Sequence, residues 1–252
     1  MQTIVFDLTY YALALTMILL LLAGTILGLW KSRSLGSKTT LGMGLVSLGG
    51  LIVISDSVVL IALSRNGLIN GFLYQQVQFS VAYTAFTLVL YGLDKILFSQ
   101  LVGGDQLRRA RLFAWGTYIF SIGGASLFLF NPATYRVTIV GSQVYVAQQL
   151  VFWVPLFLVL VDGALTSAIA IFRSNNLQIR KYAGWSGLFS VLVFLGTLRE
   201  STIIPSTGDP FNDLLVAFAP FIAGSACALL GVLSTLPTRN EKKSQTISKQ
   251  AV

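Results

Sequence analysis

Of the ionisable residues inside long runs of apolar sequence, four stand out: Asp56, Asp162, Arg199 and Glu200. A charge in such a run is costly to bury, and it marks a partner, a proton relay or a ligand by default. Near them in sequence fall Gln75, Gln76 and Gln78, then Gln148 and Gln149, then Asn212 with Asp213. Carboxylates, amides and one guanidinium are groups that can orient a small polar solute or an ion. The usual metal chemistry is not expected: histidine is absent and the single cysteine, Cys227, lies in an apolar run. Haem, zinc, copper and iron-sulfur centres draw their ligands mainly from those two residue types. An enzyme is not expected either, because its base would have to be Asp56, Asp162 or Glu200 unaided. Two carboxylates meeting in one cavity would reopen that question.

The elements that position these groups follow from composition. Of 252 residues, 55% are hydrophobic and 10% charged, with a mean hydropathy of +0.78. A soluble domain carries about 25% charged residues, so an ordinary soluble protein is excluded. A bilayer core of about 30 Å needs roughly 20 apolar residues per helix. Seven runs qualify: residues 6–30, 40–64, 70–97, 111–130, 146–172, 182–204 and 211–236. The expected fold is all-α, a multi-pass seven-helix transmembrane bundle over residues 1–237. Residues 238–252 read as a disordered basic tail, polar and without a hydrophobic period.

The charges give the orientation. Lysine and arginine total 17 against 9 acidic residues, a net +8. Fourteen of the 17 fall in alternate gaps: Lys31, Arg33 and Lys38; Lys95, Arg108, Arg109 and Arg111; Arg173, Arg180 and Lys181; Arg239, Lys242, Lys243 and Lys249. Arg65 and Arg136 are left for the opposite side. The positive-inside rule then sets the N-terminus outside, the C-terminus in the cytoplasm and the protein in the cell membrane. No basic residue precedes Lys31, so the first run is expected to remain as a span rather than be cleaved as a signal peptide. The net charge marks topology and gives no reason to expect nucleic acid.

With that orientation, Asp56 and Arg199 fall in the outer half of the membrane. Asp56 lies about eight residues, roughly 12 Å, from the outer end of its span, and Arg199 about five residues from its own. We therefore expect them to form an ion pair or to face one outward-open cavity. The alternative is that Arg199 snorkels to the headgroups while Asp56 is protonated or bonds nearby backbone. Asp162 is nearer mid-depth, with Lys95 or the hydroxyl of Thr166 as candidate partners. The ligand-binding or buried ionic set is thus Asp56, Arg199, Glu200, Asp162, Gln75, Gln78 and Gln149. It describes an outward-facing polar pocket, against the alternative of ordinary polar enrichment at the interface.

Several local patterns complete the frame. Residues 134–140 and 143–146 are β-branched and aromatic around Gly141-Ser142, which predicts a short β-hairpin in the outer connection between the fourth and fifth spans unless 143–146 simply open the fifth helix. At an offset of 142, Trp30-Lys31-Ser32 matches Phe172-Arg173-Ser174, Lys38 matches Arg180 and Gly42 matches Gly184. That suggests a parallel repeat, as in some transporters, or chance similarity of apolar-then-basic segments. Gly24 with Gly28, the second-span glycines, and Ala219, Ala223, Gly224 and Ala228 suit close helix packing. Pro155 and Pro220 are expected to kink their helices.

The layout resembles seven-helix receptors and microbial rhodopsins, but their motifs are missing. No lysine lies within residues 211–236, and the inner end of the third span reads Leu93-Asp94-Lys95. The Asn-Pro-x-x-Tyr pattern and the Pro-Gln pair of seven-helix sugar transporters are also absent, so no family follows. Three functional readings remain: a receptor-like or sensory component with an outward pocket, a small-solute or ion transporter built as three plus one plus three helices, or a non-catalytic subunit of a membrane complex. The expected partners are the lipid bilayer, a membrane or cytoplasmic protein, and a second copy of the chain.

Overall fold

The structure is a computed structural model that describes residues 2–70, 136–140, 143–147, 154–200 and 209–236, with isolated helical positions between 73 and 123. Its long elements are α1 (Gln2–Leu35), α2 (Lys38–Arg65), α3 (Val154–Arg173), α4 (Leu177–Glu200) and α5 (Pro210–Thr235). They fall on the first, second, fifth, sixth and seventh apolar runs. Among the described residues, α1, α2, α3 and α5 contain helical segments long and apolar enough to cross a membrane. The fourth run as a continuous span, the gap charges from Lys95 to Arg111 and the basic tail lie outside the described residues.

Capping chemistry sets the helix ends. Gly36 turns the chain between α1 and α2 with φ +63°, a conformation that glycine adopts without steric cost. Ser37 then caps α2, its hydroxyl accepting from the Thr40 amide at 3.3 Å. Between α3 and α4, Ser174 accepts from the Asn176 amide, and Asn176 Oδ1 accepts from the amides of Gln178 and Ile179. Asp209 caps α5 by accepting from Phe211 N at 3.0 Å, with proline at the first helical position, where its missing N–H costs nothing. Asn70 Oδ1 accepts from the Leu73 amide at 2.8 Å at the start of the third apolar run.

The two β-rich segments pair. β1 (Arg136–Val140) and β2 (Gln143–Ala147) are antiparallel, with Val140 opposite Gln143 and Arg136 opposite Ala147 around the two-residue connection. The register puts Val137, Ile139, Val144 and Val146 at positions of one face. Because β2 continues through Ala147, α3 begins at Val154 rather than at 146. This corrects the expected kink at Pro155: it is the second residue of α3, in a first turn whose N–H groups have no intrahelical acceptor. Pro220 does lie inside α5.

α1 and α2 form one helical hairpin, α3 and α4 a second, and α5 packs against α1, α2 and α4. The main apolar cluster joins Leu21, Met43 and Val46 with Leu160, Tyr182, Phe189, Ala228 and Val232. A smaller one joins Tyr10, Leu60, Ile61, Tyr74 and Leu214 at the opposite end. The exterior is as informative as the core. Leu15, Leu19, Leu22, Ile26 and Trp30 are exposed along one face of α1, while Thr40, Ser47, Ser167, Ser186, Ser190, Thr197 and Thr235 are buried. Leucine outside and small hydroxyl residues inside is an arrangement that hydrocarbon solvent favours, since helix contact there draws on close packing and hydrogen bonds.

The offset of 142 does not carry one turn onto the other. It would map Gly36-Ser37 onto residues 178–179, inside α4, whereas the observed turn occupies 174–176. What repeats is the helical hairpin with a short turn, not the ungapped residue match.

Candidate functional site

Helix ends rather than helix centres bring the charged groups together. α4 ends at Glu200 and α5 begins at Pro210, so residues near those termini lie at matching depth on antiparallel neighbours. Arg199 Nη2 meets Asp213 Oδ1 at 2.5 Å, with side chains only 10% and 15% exposed. Their helices close tightly one turn farther in. A Cβ on Gly196 would fall 2.7 Å from the Phe221 ring, so the glycine makes room for that ring and lets the two ends approach.

This corrects the expected ion pair between Asp56 and Arg199. Asp56 is half-buried on α2 and forms no ion pair among the described residues, while the guanidinium is held by α5. The physical reason is depth. Arg199 and Asp213 are each within about one turn of the end of their helices, whereas Asp56 lies more than two turns before the end of α2 at Arg65. The spacing of the sixth and seventh runs contained that signal, because the residues flanking a short connection must emerge at one level.

Leu214, next to Asp213, joins the cluster of Tyr10, Leu60, Ile61 and Tyr74. Tyr10 meets the Phe218 ring edge to face at a centroid distance of 5.4 Å. The ionic pair is thus set beside an aromatic and aliphatic wall, in surroundings that weaken competition from water. Gln78 is half-buried on the helical stretch that contributes Tyr74. Gln75 and Gln149 lie outside the described residues, as does the side chain of Glu200, the last residue of α4.

Asp162 occupies a second polar seam. It is half-buried on α3, and the Thr166 hydroxyl lies 3.4 Å from its Oδ1, one turn on. Just beyond, Ser167 and Ser186 hydroxyls meet across α3 and α4 at 3.2 Å, while Ser186 donates to the Tyr182 carbonyl at 2.8 Å. Ser190 and Thr197 continue the buried hydroxyls along α4, each donating to the carbonyl four residues back. Sequence reading did not single out Ser186 or Ser190, because serine in an apolar run carries no charge signal. Their spacing of four, shared with Tyr182, does place all three on one helical face. Tyr182 itself is fully buried, and its hydroxyl has no hydrogen-bond partner among the described residues.

The opposite end of the bundle is basic. Thr40 donates to the Thr235 carbonyl at 3.1 Å, and Gly231 packs against both Met43 and Trp185. The start of α2, the start of α4 and the end of α5 therefore share one end. That gathers Lys31, Arg33 and Lys38 with Arg173, Arg180 and Lys181 at that end. Among the described residues no three thiol or carboxylate groups gather where they could hold a metal ion.

No protein-family model, curated protein or solved structure matches this chain. Functional assignment therefore stands on the geometry alone.

Proposed function

We propose that this chain is a seven-helix membrane protein of the receptor-like or sensory kind, with its N-terminus outside and its ligand-binding groups at the non-basic end. The observation that carries the reading is the largely buried Arg199–Asp213 pair. Two charges withdrawn from water repay their desolvation only with good geometry and further bonds, and a hydrophobic pair would hold two helix ends together as well. A pair at the outer mouth of a bundle offers something more: an anionic group can compete for Arg199 and a cationic group for Asp213. A ligand that did so would change the contact between α4 and α5, which is a means of passing a signal through the helices to a membrane or cytoplasmic partner. The gathering of basic residues at the opposite end supports the orientation.

Transport is the second reading, favoured by the half-buried Asp162 beside Thr166 and the hydroxyl contact between α3 and α4. One set of measurements separates the two. Purified protein is screened by thermal shift against small anions, cations and zwitterions, then reconstituted for flux of any solute that binds. The receptor reading expects stabilisation that disappears in Asp213→Asn and no flux. Flux that disappears in Asp162→Asn would instead establish transport, and recovery in a fixed-stoichiometry complex with no binding would favour a subunit role.

A further inference from the structure

The basic end contains a cavity that the proposed function does not use. It has a volume of about 470 Å³ at the elbow between α1 and α2 and is lined by Leu29, Ser32, Arg33, Gly36, Ser37, Lys38 and Leu41. It is an open groove whose lining combines two exposed cations, Arg33 and Lys38, with two leucines, Leu29 and Leu41. No carboxylate lies nearby in sequence, since residues 8–55 contain neither aspartate nor glutamate. Leu19, Leu22, Ile26 and Trp30, at helical spacing on α1, are exposed and run toward the same elbow. Lys31 Nζ sits 4.4 Å from the centroid of the Trp30 ring, a cation over an aromatic face at the level where apolar surface ends.

An exposed apolar stripe leading to an open groove lined by two cations matches one class of molecule. We propose that the elbow binds a membrane phospholipid with a net anionic headgroup, its phosphodiester between Arg33 and Lys38 and an acyl chain along the α1 stripe. The proposal rests on the membrane reading of α1 and α2. A zwitterionic phospholipid satisfies the apolar stripe equally well but brings its own cation against Arg33 and Lys38. Preference is therefore expected to depend on headgroup charge, and to weaken as salt screens these exposed groups.

Trp30 supplies the probe. The protein is reconstituted in phosphatidylcholine vesicles containing increasing fractions of phosphatidylglycerol, with bromine on the acyl chains of one lipid or the other. The Trp30 signal is taken as the difference between wild type and Trp30→Phe. Brominated phosphatidylglycerol is expected to reach half-maximal quenching at about a fivefold lower mole fraction than brominated phosphatidylcholine, the effect of one well-placed cation at a membrane surface. Arg33→Gln with Lys38→Gln should remove the preference with helical circular dichroism unchanged, while Arg180→Gln with Lys181→Gln at the other turn should leave it intact. Arg33→Lys should retain it. Equal quenching by both lipids would overturn the site, as would an equal loss of preference in the two double variants, which would assign the effect to the general basic surface. Quenching by neither lipid would overturn the membrane reading together with it.

Discussion

The two helical hairpins reach a similar shape by different chemistry. α1 and α2 meet backbone to backbone at Gly28, where a Cβ would fall 2.5 Å from Gly44 Cα, and glycine against serine at Gly24, where one would fall 2.5 Å from Ser47 Oγ. α3 and α4 meet through hydroxyls, with Ser167 against Ser186 and Gly187 giving way to Ser167. Their turns differ likewise, a left-handed glycine and a serine cap in one, a serine and an asparagine cap in the other. The glycine hairpin places no ionisable group at its crossing. The hydroxyl hairpin carries Asp162 next to its crossing and Arg199 at its far end. Asp162 and Arg199 thus fall on the second hairpin, and Asp213, the partner of Arg199, on α5.

The sharpest way to break this division is Gly28→Ile. Its side chain would be driven into the backbone of α2, which cannot withdraw as a flexible side chain would, and a loss of about 3 kcal/mol is expected from unfolding in detergent. Gly184→Ala is a control on α4 away from the crossing, where a new Cβ meets nothing within 4 Å. It should stabilise the protein by about 0.5–1 kcal/mol through helix propensity alone. Destabilisation by Gly28→Ile no greater than that by Gly184→Ala would mean that α1 and α2 do not meet backbone to backbone at Gly28.

Asp213→Asn tests the ionic end of the polar half. Removing the Asp213 charge beside the largely buried Arg199 is expected to cost about 3 kcal/mol, and Arg199→Leu with Asp213→Leu should recover most of it. Ser167→Ala removes the hydroxyl contact between α3 and α4, for which a loss of about 1 kcal/mol is expected in the same unfolding measurement. The smallest effect is expected at Tyr182, where Tyr182→Phe removes a buried hydroxyl that bonds nothing described. Stability should stay level or rise by up to about 1 kcal/mol. A clear loss of stability would show that the hydroxyl has a partner, and that the polar half extends to the foot of α4.

How much of this was legible depended on the kind of signal. Long apolar runs and alternating basic gaps are written along the chain, so α1, α2, α3, α4 and α5 fall where the runs do, and the β-rich segments on either side of Gly141-Ser142 pair as strands. Boundaries shifted where a neighbouring element competed, as when β2 took residues assigned to the fifth span and moved Pro155 into a first turn. The polar pairs were less accessible. Counting residues from each span end put Asp56 and Arg199 in the same half, but it could not say which helices touch. α5 touches α4, and Asp213 is at the right level to reach the guanidinium.

The sequence by itself determined that this chain belongs in hydrocarbon, because free energy of transfer adds up residue by residue and needs no contacts. It also determined where the turns come, since glycine, serine, asparagine and proline act within a few residues of themselves. Only the tertiary structure decided the partners: Gly28 with Gly44, Ser167 with Ser186, Arg199 with Asp213, and the cations of the α1–α2 elbow around one cavity. Those contacts join residues on different helices, and helix packing, not spacing along the chain, fixes which faces meet.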